Sequence, residues 1–74
     1  MSKYNDKEIQ LKFGENLRRL REGKGYSLND LATRCDLDKS NISKIDNGHF
    51  NLQLTKIVEL ARGLGIEPKQ LLDY

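Results

Sequence analysis

The stretch Lys39–Phe50, KSNISKIDNGHF, concentrates side chains that could bind a partner. Its serines, asparagines and lysines offer hydrogen-bond donors, acceptors and positive charge, and no nucleophile stands with a base. The chemistry available is recognition by contact. Ser and Asn compete with the backbone for hydrogen bonds and mark loops more often than helices. Ile42 and Ile45, however, are spaced as on a helix. Taking about 100° per residue, from about 3.6 residues per turn, and Lys39 as the origin, Ile42 and Ile45 point to about 300° and 240°. Ser40 and Asn47 point to about 100° and 80°, flanked by Ser43 and Lys44. Asp38 stands as an N-cap, and Gly48 stands where a left-handed stop belongs. The spacing predicts a short helix over residues 39–47 with a narrow apolar side and a small, polar, lysine-bearing opposite side.

The surrounding elements must hold that helix. Met1 to Tyr4 are expected to be frayed, and residues 1–5 to form a flexible end. Asn5 with Glu8 has the form of an N-cap and its return partner. Ile9, Phe13, Leu17 and Leu20 then make one apolar stripe, ended by Gly23 and Gly25, which predicts a helix over 6–23. Ser27 caps a second helix, with Asp30 at its third position. Leu28, Leu31, Ala32 and Cys35 mark its inner face over 28–35. Asp36–Asp38 breaks the pattern, with Leu37 expected to plug the gap. Leu54, Ile57, Val58, Ala61 and Leu64 form the cleanest amphipathic run, ended by Gly65. Pro68 opens a last short helix carrying Leu71 and Leu72. Five short helices with short connections describe a compact all-α domain over residues 6–74.

The middle pair is the informative part. A short helix, a three-residue break and a second short helix with a polar outer face form a helix-turn-helix pattern at 28–47. The major groove of DNA is about 12 Å wide and just admits a helix. Small polar residues let the backbone approach base edges closely, and Lys39 and Lys44 can reach guanine acceptors or phosphates. A helix N-terminus can also receive a phosphate.

These residues resemble the Cro/C1-type (XRE) bacterial and phage regulators. The likeness rests on LNDLATRCDLDKSNISKIDNG (28–48), with Leu31-Ala32, Leu37 in the turn and ISKIDNG, and on the flanks RRLREGKGYS and LTKIVELARGLGIEP. It covers about residues 9–72, and NLQLT is similar to the restriction–modification controller proteins within that family. The resemblance implies a five-helix, lambda-repressor-like domain that binds double-stranded DNA and regulates transcription. It implies that Lys39, Ser40, Ser43 and Lys44 face base edges and that Asn41 also belongs to the DNA-binding surface. Ser27 and Asn29 at the bracing helix, with Asn47 and His49 after the recognition helix, would face phosphate. Leu28 stands where the family often places a phosphate-holding Gln, and Leu52 where it usually has Pro. Arg21 and Asp46 match positions that tend to form a partly buried salt bridge. Gly63 replaces the usual Ala, at about 1 kcal/mol, which close packing would explain.

Composition narrows the alternatives. The 74 residues carry 13 basic and 11 acidic groups, a net charge of +2, too weak to demand a nucleic-acid partner. Seven of the basic groups lie in residues 1–26, with Arg18, Arg19, Arg21 and Lys24 close together. That cluster fits a solvated face as well as a phosphate contact. The single cysteine, Cys35, forms no internal disulfide and sits on a core face. His49 lacks ligand partners at metal spacing, and no catalytic set or phosphate loop is visible, so no enzyme, metal or cofactor is expected. No membrane span or signal segment is evident, which points to the cytoplasm, and no small-molecule ligand is expected. Two adjacent leucines cannot both face inward on one short helix. A homodimer through Ile66, Leu71, Leu72 and Tyr74, with or without part of the fourth helix, is therefore expected, each recognition helix reading half of a palindrome. The alternative is an antitoxin or protein-interaction module using the hydrophobic C-terminal face.

Overall fold

The computed structural model describes residues 5–49 and 51–73. Five helices follow in order: α1 (Asp6–Gly23), α2 (Leu28–Arg34), α3 (Lys39–Asp46), α4 (Leu54–Leu64) and α5 (Pro68–Leu71). The expected frayed end at residues 1–4 and the interface role of Tyr74 lie outside the described residues.

Each boundary has a local cause. At α1 the Glu8 backbone N–H donates to Asn5 Oδ1 at 2.7 Å, satisfying one of the free donors of the first turn. Ser27 caps α2 reciprocally: the Asp30 N–H donates to Ser27 Oγ at 3.0 Å, and the Ser27 N–H donates to Asp30 Oδ2 at 2.9 Å. Asp38 holds the cap position of α3 with extended backbone but makes no side-chain cap bond, so that expectation is corrected to a backbone role. The second helix ends at Arg34, one residue early, because Cys35 is extended. Three helices close in one manner. Beyond α3, Gly48 takes φ +74°, its N–H donates to the Ile45 carbonyl, and the His49 N–H donates to the Lys44 carbonyl at 2.8 Å. Gly25 and Gly65 repeat the pattern after α1 and α4.

The core joins all five helices. Leu17, Leu31, Ile42, Ile45, Leu60, Leu64 and Leu71 are its fully buried large side chains, each worth about 1.5–3 kcal/mol of burial. Leu37 packs half-buried against it, as a plug between α2 and α3. Two glycines set helix spacing. A Cβ on Gly14 would clash with the Ile45 carbonyl oxygen and lie 2.7 Å from that of Asp46, so only glycine lets α1 touch the end of α3. At Gly63 a Cβ would meet Cys35 Cβ at 3.0 Å and the Arg34 carbonyl oxygen at 3.1 Å, giving close α2–α4 packing.

Part of the predicted apolar face is not covered. Ile9, Leu11, Leu54, Val58 and Leu72 are exposed, although Ile9, Leu54 and Val58 belong to helical stripes. Leu71 is fully buried beneath α1 and α4, which removes it from any subunit interface; Leu72 is 50% exposed. Ile66 is half-buried against the core.

Candidate nucleic-acid interface

Helix α3 is anchored on one side and open on the other. Ile42 and Ile45 are 0% and 1% exposed. Lys39, Ser40, Lys44 and Asn47 are exposed, and Asn41 and Ser43 are half-buried. His49 is exposed just past the helix, its backbone held by the Lys44 carbonyl. Ser27 and Asn29 are exposed at the start of α2.

One arginine ties these two ends together. Arg21 Nη2 donates to Asp46 Oδ2 at 2.7 Å, with both side chains buried, and Arg21 Nη1 donates to the Tyr26 carbonyl at 2.8 Å. A single guanidinium thus spans the residue before the α2 cap and the last residue of α3. Its planar fork suits that task better than a lysine ammonium would. Removing Asp46 would leave the Arg21 charge buried and uncompensated, at about 3–5 kcal/mol. Among the described residues Arg21 Nε and Asp46 Oδ1 are buried without a partner, so the bridge carries hydrogen bonds unmade there.

Two further polar contacts were not legible in the residue pattern. Asn16 is buried in α1, and its Nδ2 donates to the carbonyls of Gln70 at 2.8 Å and Leu71 at 2.9 Å. That satisfies the end of α5 and fastens the C-terminal helix to α1. Arg18 Nη2 donates to Asn47 Oδ1 at 2.9 Å, while Asn47 Nδ2 donates to the Ser43 carbonyl at 2.9 Å. Both ends of the Asn47 amide are therefore engaged within the protein. Asn16 lies beside the apolar stripe, and Arg18 pairs with a residue 29 positions away, so periodicity alone marks neither.

The electrostatics around these helices are structural. The Ser27 backbone N–H, then its hydroxyl, hold the Asp30 carboxyl below its ordinary range. Burial, with help from the Glu59 charge, pushes the Cys35 thiol up, so the thiolate needed for redox chemistry is disfavoured. Arg34 stacks 4.3 Å above the Tyr26 ring, a cation–π contact that steadies the α1–α2 turn against α2.

The arrangement offers hydrogen bonds and positive charge to a grooved partner, from a helix that its own core cannot release. Residues 14–73 match the helix-turn-helix domain family. The chain is 40% identical over 67 residues to control protein C.BamHI of Bacillus amyloliquefaciens, covering 89% of this chain and 83% of that one. Its fold superposes on the restriction–modification controller C.AhdI of Aeromonas hydrophila with a TM-score of 0.82 and 42% identity, covering 84% and 94% of the two chains. The controller C.Esp1396I, solved as a tetramer with its natural 35-base-pair operator, is similar at a TM-score of 0.76 and 25% identity, covering 88% and 96%. These relatives are regulators rather than enzymes, and the match spans all five helices, which disfavours a module working by its C-terminal face alone. The chain belongs to the helix-turn-helix family of DNA-binding transcriptional regulators, alongside the controller proteins of restriction–modification systems.

Proposed function

We propose that the chain works in the cytoplasm as a homodimeric controller that reads a palindromic operator through α3 of each subunit. Residues 6–73 act as one DNA-binding unit, with the helix-turn-helix at 28–47. The observation that carries this reading is the two-sided α3: Ile42 and Ile45 fully buried, with Lys39, Ser40 and Lys44 exposed and Asn41 and Ser43 half-buried at the edges. Small side chains on that face keep the helix low enough to enter a groove, and the lysines supply charge at its rim. Ser27, Asn29 and His49 lie at helix ends that suit phosphate contact. No described helix is long and apolar enough to cross a membrane.

A partner subunit is supported by the uncovered apolar side chains. Leu54 is 74% and Val58 48% exposed on α4. Ile9, Phe13, Leu52, Ile57 and Leu72 line a shallow groove beside α5. A second copy covering such a surface would bring a second α3 into the assembly, as the reading of two half-sites requires. That C.Esp1396I occupies its operator as a tetramer supports an oligomeric reader in this fold.

Selection from a random duplex pool tests the reading. A palindromic consensus is expected, bound by a protein that sediments as a dimer at tens of micromolar. Binding without a consensus, lost at moderate salt, would reduce the protein to a non-specific cation. A monomer without DNA at that concentration would remove the dimer.

A further inference from the structure

Asp46 is shared by two arginines. Arg21 takes Asp46 Oδ2 at 2.7 Å from the buried side, and Arg18 Nε lies 3.5 Å from the same oxygen on the solvent side. Asp46 carries one negative charge and two arginines share it, so the trio keeps a net positive charge, which Arg18 presents toward solvent. The Arg18 side chain is 46% exposed. Its guanidinium carries five donors in a fixed fork. Asn47 Oδ1 accepts one, and no other hydrogen-bond acceptor beyond Asn47 and the distant Asp46 oxygen engages it among the described residues.

The location is informative. On the α3 wheel Asp46 points to about 340° and Asn47 to about 80°, on the side of Ser43, while Lys44 points to about 140°. Arg18 and Lys44 therefore flank the C-terminal half of the recognition face from opposite sides. A helix lying in the major groove has a phosphate backbone on each side of it. Asn47 has both amide ends occupied, by Arg18 and by the Ser43 carbonyl, which leaves it poorly placed to meet a phosphate itself.

We propose that Arg18 is a DNA-phosphate contact supplied by α1, and that Asn47 is its positioning residue rather than a phosphate ligand. This rests on the duplex-reading function above. Asn47 holds the fork outward, so less side-chain freedom is lost when the phosphate arrives. The contact joins the brace to the reader: the first helix grips one backbone while α3 lies in the groove.

The test uses the full chain and the duplex that it selects, with affinity measured from 50 to 200 mM salt. For R18A the slope of log affinity against log salt should become shallower by about 0.9, one phosphate's share. Over that fourfold salt range the wild type then loses about threefold more affinity than R18A. The selected consensus should not change. R18K should keep the wild-type slope, because the charge stays. N47A should weaken binding to all sequences at an unchanged slope, and R18A/N47A should bind no more weakly than R18A. Thermal melts of the free proteins run in parallel; if R18A does not fold, R18Q reads the same slope. An R18A or R18Q slope equal to wild type would overturn the phosphate contact. An N47A loss that persists in the R18A background would overturn the positioning role. Wild-type protein that binds no duplex would instead overturn the regulator reading on which both depend.

Discussion

The two ends of the molecule use their side chains in opposite ways. Around α3 the exposed groups are polar, and the buried polar groups Arg21 and Asp46 are paired across helices. Around α4 and α5 the exposed groups include Leu54, Val58 and Leu72, and the buried ones are almost wholly apolar. The first region spends stability on orientation, because a buried ion pair is seldom the most stabilising way to fill space. The second leaves apolar surface in water, which only a further contact would recover. A reader needs a fixed helix with a wet face, and a subunit contact needs a fixed helix with a dry one.

The largest expected effect breaks the first region. Asp46→Ala strands the Arg21 charge and should lower unfolding free energy by about 3–5 kcal/mol in urea melts, a large share of the roughly 5–15 kcal/mol that such domains possess. Next, Ile42→Ala opens a cavity beneath the recognition face and should lose about 2–5 kcal/mol. Leu54→Ala removes an equally large apolar residue from an exposed position and should change unfolding of the monomer by less than about 0.5 kcal/mol. Its effect should instead appear in sedimentation, as a weaker self-association. Equal losses of stability for Ile42→Ala and Leu54→Ala would erase the contrast between the two regions.

Ser27→Ala should lose about 1 kcal/mol by removing the α2 cap. It also changes the acid limb of stability. Asp30 has a folded pKa below its ordinary 3.8, so the fold favours its charged form. That contribution is present above pH 3.8 and is lost as pH falls through the lower folded value. In Ser27→Ala the acid-induced fall attributable to Asp30 should shrink, measurable as a smaller gap between melts at neutral and strongly acid pH.

Local devices were the legible part of the fold. Asn5, Ser27, Gly48 and Gly65 announce helix ends because capping is a short-range matter, and the start of α1 follows from Asn5. The α3 face follows from Ile42 and Ile45, since one apolar pair fixes the rotation of a short helix. Adjacent Leu71 and Leu72 showed that only one could face inward, but not which; the rotation of α5 about its axis decides it, and Asn16 sets that rotation by holding the Gln70 and Leu71 carbonyls. The role of Gly14 depends on a helix 31 residues further on, and a lone glycine in a helical stretch carries no sign of that. Leu54 and Val58 have correct periodicity, yet periodicity does not say whether the chain itself supplies the cover. Asn47 sat on the expected face, but its engagement by Arg18 was hidden by distance along the chain.

The central claim is that the outer face of α3 reads base sequence while the groups around it hold the DNA backbone. Parallel duplex selections with wild type, Ser43→Ala, Lys44→Ala and His49→Ala test it most directly. The account predicts that Ser43→Ala and Lys44→Ala shift the selected bases at defined positions of each half-site. It predicts that His49→Ala keeps the wild-type consensus and binds every sequence more weakly. One unchanged consensus for all four proteins, with differences in affinity alone, would contradict it.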